Sequence, residues 1–288
     1  MVTLAEPGSI GEAVTIMRDN DGEAKYLAGG TALVLLVRMK MLHPRVLVSL
    51  RGIQDIRGWS DIEICGDQLV IGGGVTVAIV ATHPAVRSCA PSLAHAAAVV
   101  GNTRIRNAAT MGGLLAEADY ASDPPATLVS LGASVVMSDG DEYREMPVYD
   151  FIPDFFTTEL EPVEIVTGIR VPIGSAGNRS TYLKFTSRSA EDRPCVGVAV
   201  SADLEDHALR GLRVVIGAVS GQPQWFPQIT DSFLGRTLTD ADIQTIADAY
   251  ADEVDPIDDI RGSQWYRREV IRAQVSRALA DVRDGARA

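Results

Sequence analysis

Cysteine is scarce in this 288-residue chain: three residues, Cys65, Cys89 and Cys195, widely spaced and odd in number. With no Cys-x-x-Cys, the chain alone cannot furnish a four-cysteine zinc or iron–sulfur site. This usage points to a reducing cytoplasm, with the three thiols serving as small buried side chains. Positive charge is also in short supply. Against 38 Asp and Glu stand 26 Lys and Arg, a formal charge of −12, which argues against the clustered cations that nucleic acid requires. Arginine is dense only from Arg261 to Arg287, where Glu269, Asp281 and Asp284 interleave with it as on a solvated helix face. No apolar run reaches the length of a membrane span. The opening Met1-Val2-Thr3-Leu4-Ala5-Glu6 has neither the basic start nor the apolar core of a signal peptide.

Catalytic signatures are missing as well. His43, His83, His95 and His207 are isolated, and neither Gly-x-Ser-x-Gly nor His-Glu-x-x-His occurs. G-x-G-x-x-G and the P-loop string are absent too, which excludes the two commonest nucleotide loops. Glu117, Asp119 and Asp123 are close enough in sequence for a metal, for capping or for a ribose hydrogen bond. This poverty favours chemistry carried by a bound cofactor over chemistry carried by side chains.

What remains is an ordinary globular composition, 46% apolar and 22% charged, long enough for two domains. Ser9 and Glu12 stand at capping-box spacing before Ile10, Ala13, Val14 and Met17 on one helix face. A strand over 25–28, a Gly-Gly turn, a buried helix over 31–41 and a strand over 45–50 compose a small α/β unit. Residues 62–65 and 69–72 read as a hairpin, 76–81 and 91–100 as helices, and 133–137, 143–148 and 164–171 as strands. Gly174 to Asn178 is the linker candidate. Beyond it, runs over 180–187, 195–204 and 209–219 predict a three-stranded antiparallel sheet, covered by helices starting near Thr239 and Ser263.

Two stretches of this chain carry paired glycines. Ala28-Gly29-Gly30-Thr31-Ala32 precedes the apolar run from Leu33. Thr110-Met111-Gly112-Gly113 reads as a turn, followed by Ser122-Asp123-Pro124-Pro125 with Asp123 as N-cap and proline at the first helical position. Paired glycines let backbone approach a ligand. Successive amides with a threonine hydroxyl bind anions without a basic residue, so the two turns suit a clamp on one polyanionic ligand.

Leu27 to Leu33, Met111-Gly112-Gly113 and Ala118 to Ala126, with the Thr103 to Asn107 lead-in, Glu164-Ile165-Val166 and Tyr182-Leu183-Lys184, resemble the flavin-binding medium subunit of molybdenum hydroxylases. That is the xanthine dehydrogenase and carbon monoxide dehydrogenase group, and the resemblance covers nearly the whole chain. It implies an α+β fold: a PCMH-type FAD-binding domain over 1–175, with subdomains of about 1–55 and 56–175, then a C-terminal domain over 178–288. It implies FAD extended between subdomains, its pyrophosphate on the backbone of Ala28, Gly29, Gly30, Thr31 and Ala32 and of Thr110, Met111, Gly112 and Gly113. Lys25, Tyr26 and Leu27 would line the entry, Leu114 would follow the second turn, and Asp123 would hydrogen-bond within the site. The Ile165 and Val166 backbone would meet the adenine end, and Lys184 would approach the flavin. No catalytic side chain and no metal ligand is implied.

The family usually has Asn where Leu114 stands, and often His at Glu117 and Pro at Tyr120. Arg193 falls where some members present an aromatic residue to the flavin. The resemblance further implies a large molybdopterin subunit and a small [2Fe–2S] subunit as partners, in a dimer of heterotrimers. Electrons would pass from [2Fe–2S] clusters through FAD to an external acceptor. The alternatives are a stand-alone FAD-dependent reductase of the same fold, and a non-catalytic assembly subunit whose Gly-Gly turns are structural.

Overall fold

A computed structural model describes residues 2–175 and 177–285. The expected linker therefore includes one residue, Ala176, outside the described residues, and Ala286 and Arg287 of the arginine-rich tail lie outside them too. The first unit comprises β1 (Thr3–Ala5), α1 (Ile10–Asp19), β2 (Ala24–Leu27), α2 (Leu33–Arg38) and β3 (Val46–Ser49). Its strands pair in the order β1-β3-β2, all parallel. Ser9 caps α1 by accepting the Glu12 amide, and Ile10, Ala13 and Val14 are buried. The β2–α2–β3 crossover is the α/β unit read from the sequence. One expectation fails here. No residue of α2 is buried, and Leu35, Met39 and Met41 are 55, 60 and 63% exposed. An apolar run reports preference for burial, not coverage, and among the described residues no helix or strand packs extensively against this six-residue helix.

The second unit opens with the hairpin β4 (Ile62–Cys65) and β5 (Gln68–Gly72). Six helices follow: α3 (Val77–Thr82), α4 (Pro84–Cys89), α5 (Pro91–Ala98), α6 (Thr103–Ala108), α7 (Met111–Glu117) and α8 (Asp123–Ser130). Then come β6 (Ser134–Ser138), β7 (Tyr143–Pro147), α9 (Val148–Phe151) and β8 (Ile165–Pro172). The sheet is antiparallel, ordered β4-β5-β8-β6-β7. Ile165, at the start of β8, sits in the core of the first unit with Val48, Ile53 and Trp59, whereas Val166 belongs to the core of the second. Tyr26 donates to the Val163 carbonyl at 2.8 Å. The seam between the units thus runs along β2 and the start of β8.

The third unit is β9 (Asn178–Phe185), β10 (Val196–Glu205), β11 (Ala208–Gly217), β12 (Gln224–Trp225), α10 (Pro227–Thr230), α11 (Asp240–Glu253) and α12 (Gln264–Asp284). Its sheet has four strands, β12-β11-β10-β9, not three. The fourth spans two residues, too few to show periodicity, and is placed by pairing Trp225 with Val215. Side chains alternate along β10: Val196, Val198 and Val200 face α11 and α12, while Ala199 joins the core of the second unit. α5 and α8 cover that other face, joining the units through a shared core. Among the cysteines only Cys195 is buried. Cys65, at the end of an edge strand, is exposed and Cys89 is half-buried, correcting the expectation of three buried thiols.

Thr239 and Asp242 form a reciprocal capping box at the start of α11. Thr239→Ala is expected to lower stability by about 1 kcal/mol, measured as a shift in denaturation midpoint, without touching ligand binding.

Candidate dinucleotide cleft

The residues following β2 carry a run of unpaired backbone donors. Gly30 has a φ of +72°, a left-handed conformation open to glycine at little cost, and it turns the chain before α2. Among the described residues, the amides of Gly29, Gly30, Thr31, Ala32 and Leu33 have no acceptor in the protein. Five successive half-buried donors could cradle an anion without a cation, which suits a protein with net charge −12. The Leu33 amide belongs to it although the sequence reading stopped at Ala32.

The second glycine stretch lies directly against the first. A Cβ on Gly29 would fall on the Ala108 carbonyl, inside any contact distance, and one on Gly113 would be 3.3 Å from Ala28 Cβ. Two segments some eighty residues apart in sequence are thus brought backbone to backbone. Their roles differ, however. Thr110 to Gly113 is not a turn. Thr110 is the N-cap of α7, its hydroxyl oxygen accepting the Gly113 amide at 3.1 Å. The Met111 amide donates to the Val75 carbonyl, Gly112 to Gly73 and Leu114 to Thr110, each at 2.9 Å. These amides are spent inside the protein, so the expected backbone nest at Met111–Gly113 is corrected. The segment offers a ligand the Thr110 hydroxyl hydrogen and the half-buried faces of Gly113 and Leu114. Met111 is fully buried, and the missing side chain of Gly112 serves packing, since a Cβ there would be 2.8 Å from the Gly73 carbonyl and 2.9 Å from that of Val166.

Lys25 is exposed on β2, and Tyr26 and Leu27 are half-buried beside the cradle. Ile165 and Val166 are each 3% exposed, and their backbone pairs with Ser138 and Met137. They form the floor of the seam.

Asp123 and Lys184 come together at the far side of α5. Asp123 is the first residue of α8, with Ser122 at the N-cap and prolines at the next two positions, so the helix starts one residue earlier than the sequence reading, which made Asp123 the cap. Lys184 Nζ donates to Asp123 Oδ2 at 3.1 Å and to the Val99 carbonyl at 2.8 Å. Tyr182 donates to Asp123 Oδ1 at 2.7 Å. Burial outweighs these partners and pushes the Asp123 carboxyl up to about 6. Tyr182, at i−2 from Lys184 on one face of β9, was not among the expected site residues; that alternation was the signal for it. Lys184 also brings in Val99, and Arg106 holds the carbonyls of Val100 and Gly101 at 3.0 and 2.9 Å.

The remaining acids do not converge. Asp119 pairs with Arg193 at 2.6 Å, and burial together with the Asp119 charge raises Glu117. Among the described residues no three His, Cys, Asp or Glu side chains are grouped to hold a metal ion, and no helix is long and apolar enough to cross a membrane.

Comparison with known proteins agrees along the whole chain. Residues 1–174 match the family described as FAD binding domain in molybdopterin dehydrogenase, and residues 181–282 match the CO dehydrogenase flavoprotein C-terminal domain. The glyceraldehyde dehydrogenase medium chain of Sulfolobus acidocaldarius is 28% identical, over 95% of each chain. A 6-hydroxypseudooxynicotine dehydrogenase complex subunit alpha of Paenarthrobacter nicotinovorans is 30% identical, over 94% of this chain and 91% of its own. A solved carbon monoxide dehydrogenase from Hydrogenophaga pseudoflava superposes with a TM-score of 0.92 at 28% identity, over 97% of this chain and 96% of that one.

Proposed function

The chain belongs to the FAD-binding medium-subunit family of molybdenum-containing dehydrogenases, and from that we propose that it carries electrons through FAD between iron–sulfur clusters of a partner and an external acceptor. The observation that carries this reading is the row of free amides from Gly29 to Leu33 lying against Ala108 to Gly113. Donors of that kind fit a pyrophosphate.

Bound FAD supplies the redox chemistry, exchanging electrons singly or as a hydride. The chain's own residues do the rest. The cradle amides neutralise the pyrophosphate charge without a cation, and the Thr110 hydroxyl adds a donor. Lys25, Tyr26 and Leu27 edge the entry. Ile165 and Val166 close the seam at the adenine end and exclude water there. Asp123 and Lys184 bound the flavin end, where the C-terminal domain over 178–288 closes on the FAD-binding domain over 1–175.

The partners in this reading are a large molybdopterin subunit and a small [2Fe–2S] subunit, assembled as a dimer of heterotrimers in the cytoplasm. Support comes from the relatives, whose names place them as medium chains or complex subunits. Isolation of the chain with its natural partners is expected to yield FAD, iron and molybdenum together, and rapid mixing with the substrate of the complex to bleach the flavin after the iron–sulfur bands. Full activity in the purified lone chain would instead favour the stand-alone reductase, and a colourless chain unable to bind added FAD the assembly subunit.

A further inference from the structure

The polar contact between the two domains around Asp123 contains a group that cofactor binding leaves without a role. Tyr182 is 1% exposed and Asp123 3%, and the phenol donates to Asp123 Oδ1 at 2.7 Å. Lys184, from the same face of β9, takes the other carboxylate oxygen and is itself anchored on the Val99 carbonyl. Room for the hydroxyl is specifically kept, because a Cβ on Gly197 of the neighbouring strand would be 2.7 Å from it. Packing alone would be served by phenylalanine, which fills the same volume without a buried oxygen. Burial and the adjacent carboxylate hold the Tyr182 hydroxyl protonated, so it acts as a donor and not as a base.

We propose that Tyr182 is a positioning residue of the flavin site, its hydroxyl holding Asp123 ionised and turned toward Lys184, an inference that rests on Asp123 and Lys184 lying at the flavin end of the cleft. Without the phenol, Asp123 Oδ1 is a buried acceptor that has lost its side-chain donor. The carboxyl then takes up a proton or swings away, and Lys184 keeps only the Val99 carbonyl. Among the described residues, the other charged or titratable groups near this corner are His95 of α5, whose ring lies 6.5 Å from that of Tyr182, and Arg106 of α6, held on the Val100 and Gly101 carbonyls beside Val99; Arg213 of β11 lies at the opposite end of α8, against Gly132. Burial lowers His95, the direction that disfavours a second positive charge beside Lys184.

The test is FAD affinity of the full chain as a function of pH, read by quenching of flavin fluorescence, with thermal unfolding followed in parallel. In wild type the affinity is expected to fall as the pH drops through about 6, where Asp123 protonates. Tyr182→Phe removes a hydrogen bond to a charged group and is expected to weaken FAD binding about twofold at about pH 7 and about tenfold on the acid side of about pH 6. Its acid limb should move to higher pH by about one unit, the shift equivalent to that loss. Gly197→Ala, which displaces the hydroxyl without deleting it, should move the limb in the same direction and supplies the test if Tyr182→Phe does not fold. A limb that stays in place, with affinity unchanged or reduced equally at every pH, overturns the proposal. Asp123→Asn and Lys184→Met binding FAD as wild type does would overturn the placement of the pair at the flavin. A wild-type chain that binds no FAD would overturn the cofactor reading itself.

Discussion

Gly29→Ala is expected to release FAD from the chain and to lower its stability. The added Cβ falls on the Ala108 carbonyl, so two backbones collide and no rotamer change relieves them. Overpacking of this kind costs about 1–3 kcal/mol. The larger effect is on the ligand, because the segments can separate only by shifting the cradle amides away from Thr110 and Gly113. Each hydrogen bond to a charged group is worth about 1.5–3 kcal/mol, so losing two raises Kd by roughly two to four orders of magnitude. Gly11→Ala in α1 is the control, with nothing within 4 Å of the new Cβ. It should keep its flavin and gain about 0.5–1 kcal/mol, the usual benefit of alanine over glycine inside a helix. Flavin titration and thermal unfolding of the two variants check both statements, and a Gly29→Ala chain that keeps its FAD would remove the cradle from the site.

Lys184→Met is expected to destabilise the protein in a manner that depends on pH. Removing one partner of a buried ion pair costs about 3–5 kcal/mol when the other charge cannot escape. Here the remaining group is an acid and escapes by binding a proton. With Lys184 beside it, Asp123 already stands at about 6 against an ordinary 3.8, because burial disfavours the carboxylate; without the cation it rises further. An acid whose folded value lies above its unfolded one binds protons more tightly in the fold. Its stabilisation is present at low pH and is lost as pH climbs through the folded value. The deficit of Lys184→Met against wild type should therefore be small near about pH 5 and grow toward about pH 8. Denaturant unfolding across that range measures it, and a deficit independent of pH would mean that Asp123 is not a buried carboxylate. Adding Asp123→Asn should recover most of the loss at the upper end, since no unpaired charge then remains inside.

Much of the architecture was legible from local chemistry. The caps at Ser9, Thr239 and Ser263 start α1, α11 and α12 where side-chain oxygens accept amides three residues on. The hairpin at Gly66 follows from a glycine with φ of +62° between two alternating runs. The resemblance built on both glycine stretches led to the right family, and the flanking residues of each stretch are adjacent in space.

Other features depended on contacts between distant segments. The sequence by itself determined where the side-chain-capped helices and the long strands begin, that paired glycines bring backbone close to something, and that the chemistry belongs to a cofactor. Those properties depend on residues within a few positions of one another. It did not determine what each glycine approaches. Gly29 meets Ala108, and Gly112 meets Gly73 and Val166, so one pair leaves its amides free while the other spends them inside the protein. Nor did it show that α2 lies uncovered, that Trp225 adds a fourth strand, or that Tyr182 and Lys184 both donate to Asp123. Coverage, edge pairing and the direction of a hydrogen bond are set by segments tens of residues away, and only tertiary structure decides which of them arrive.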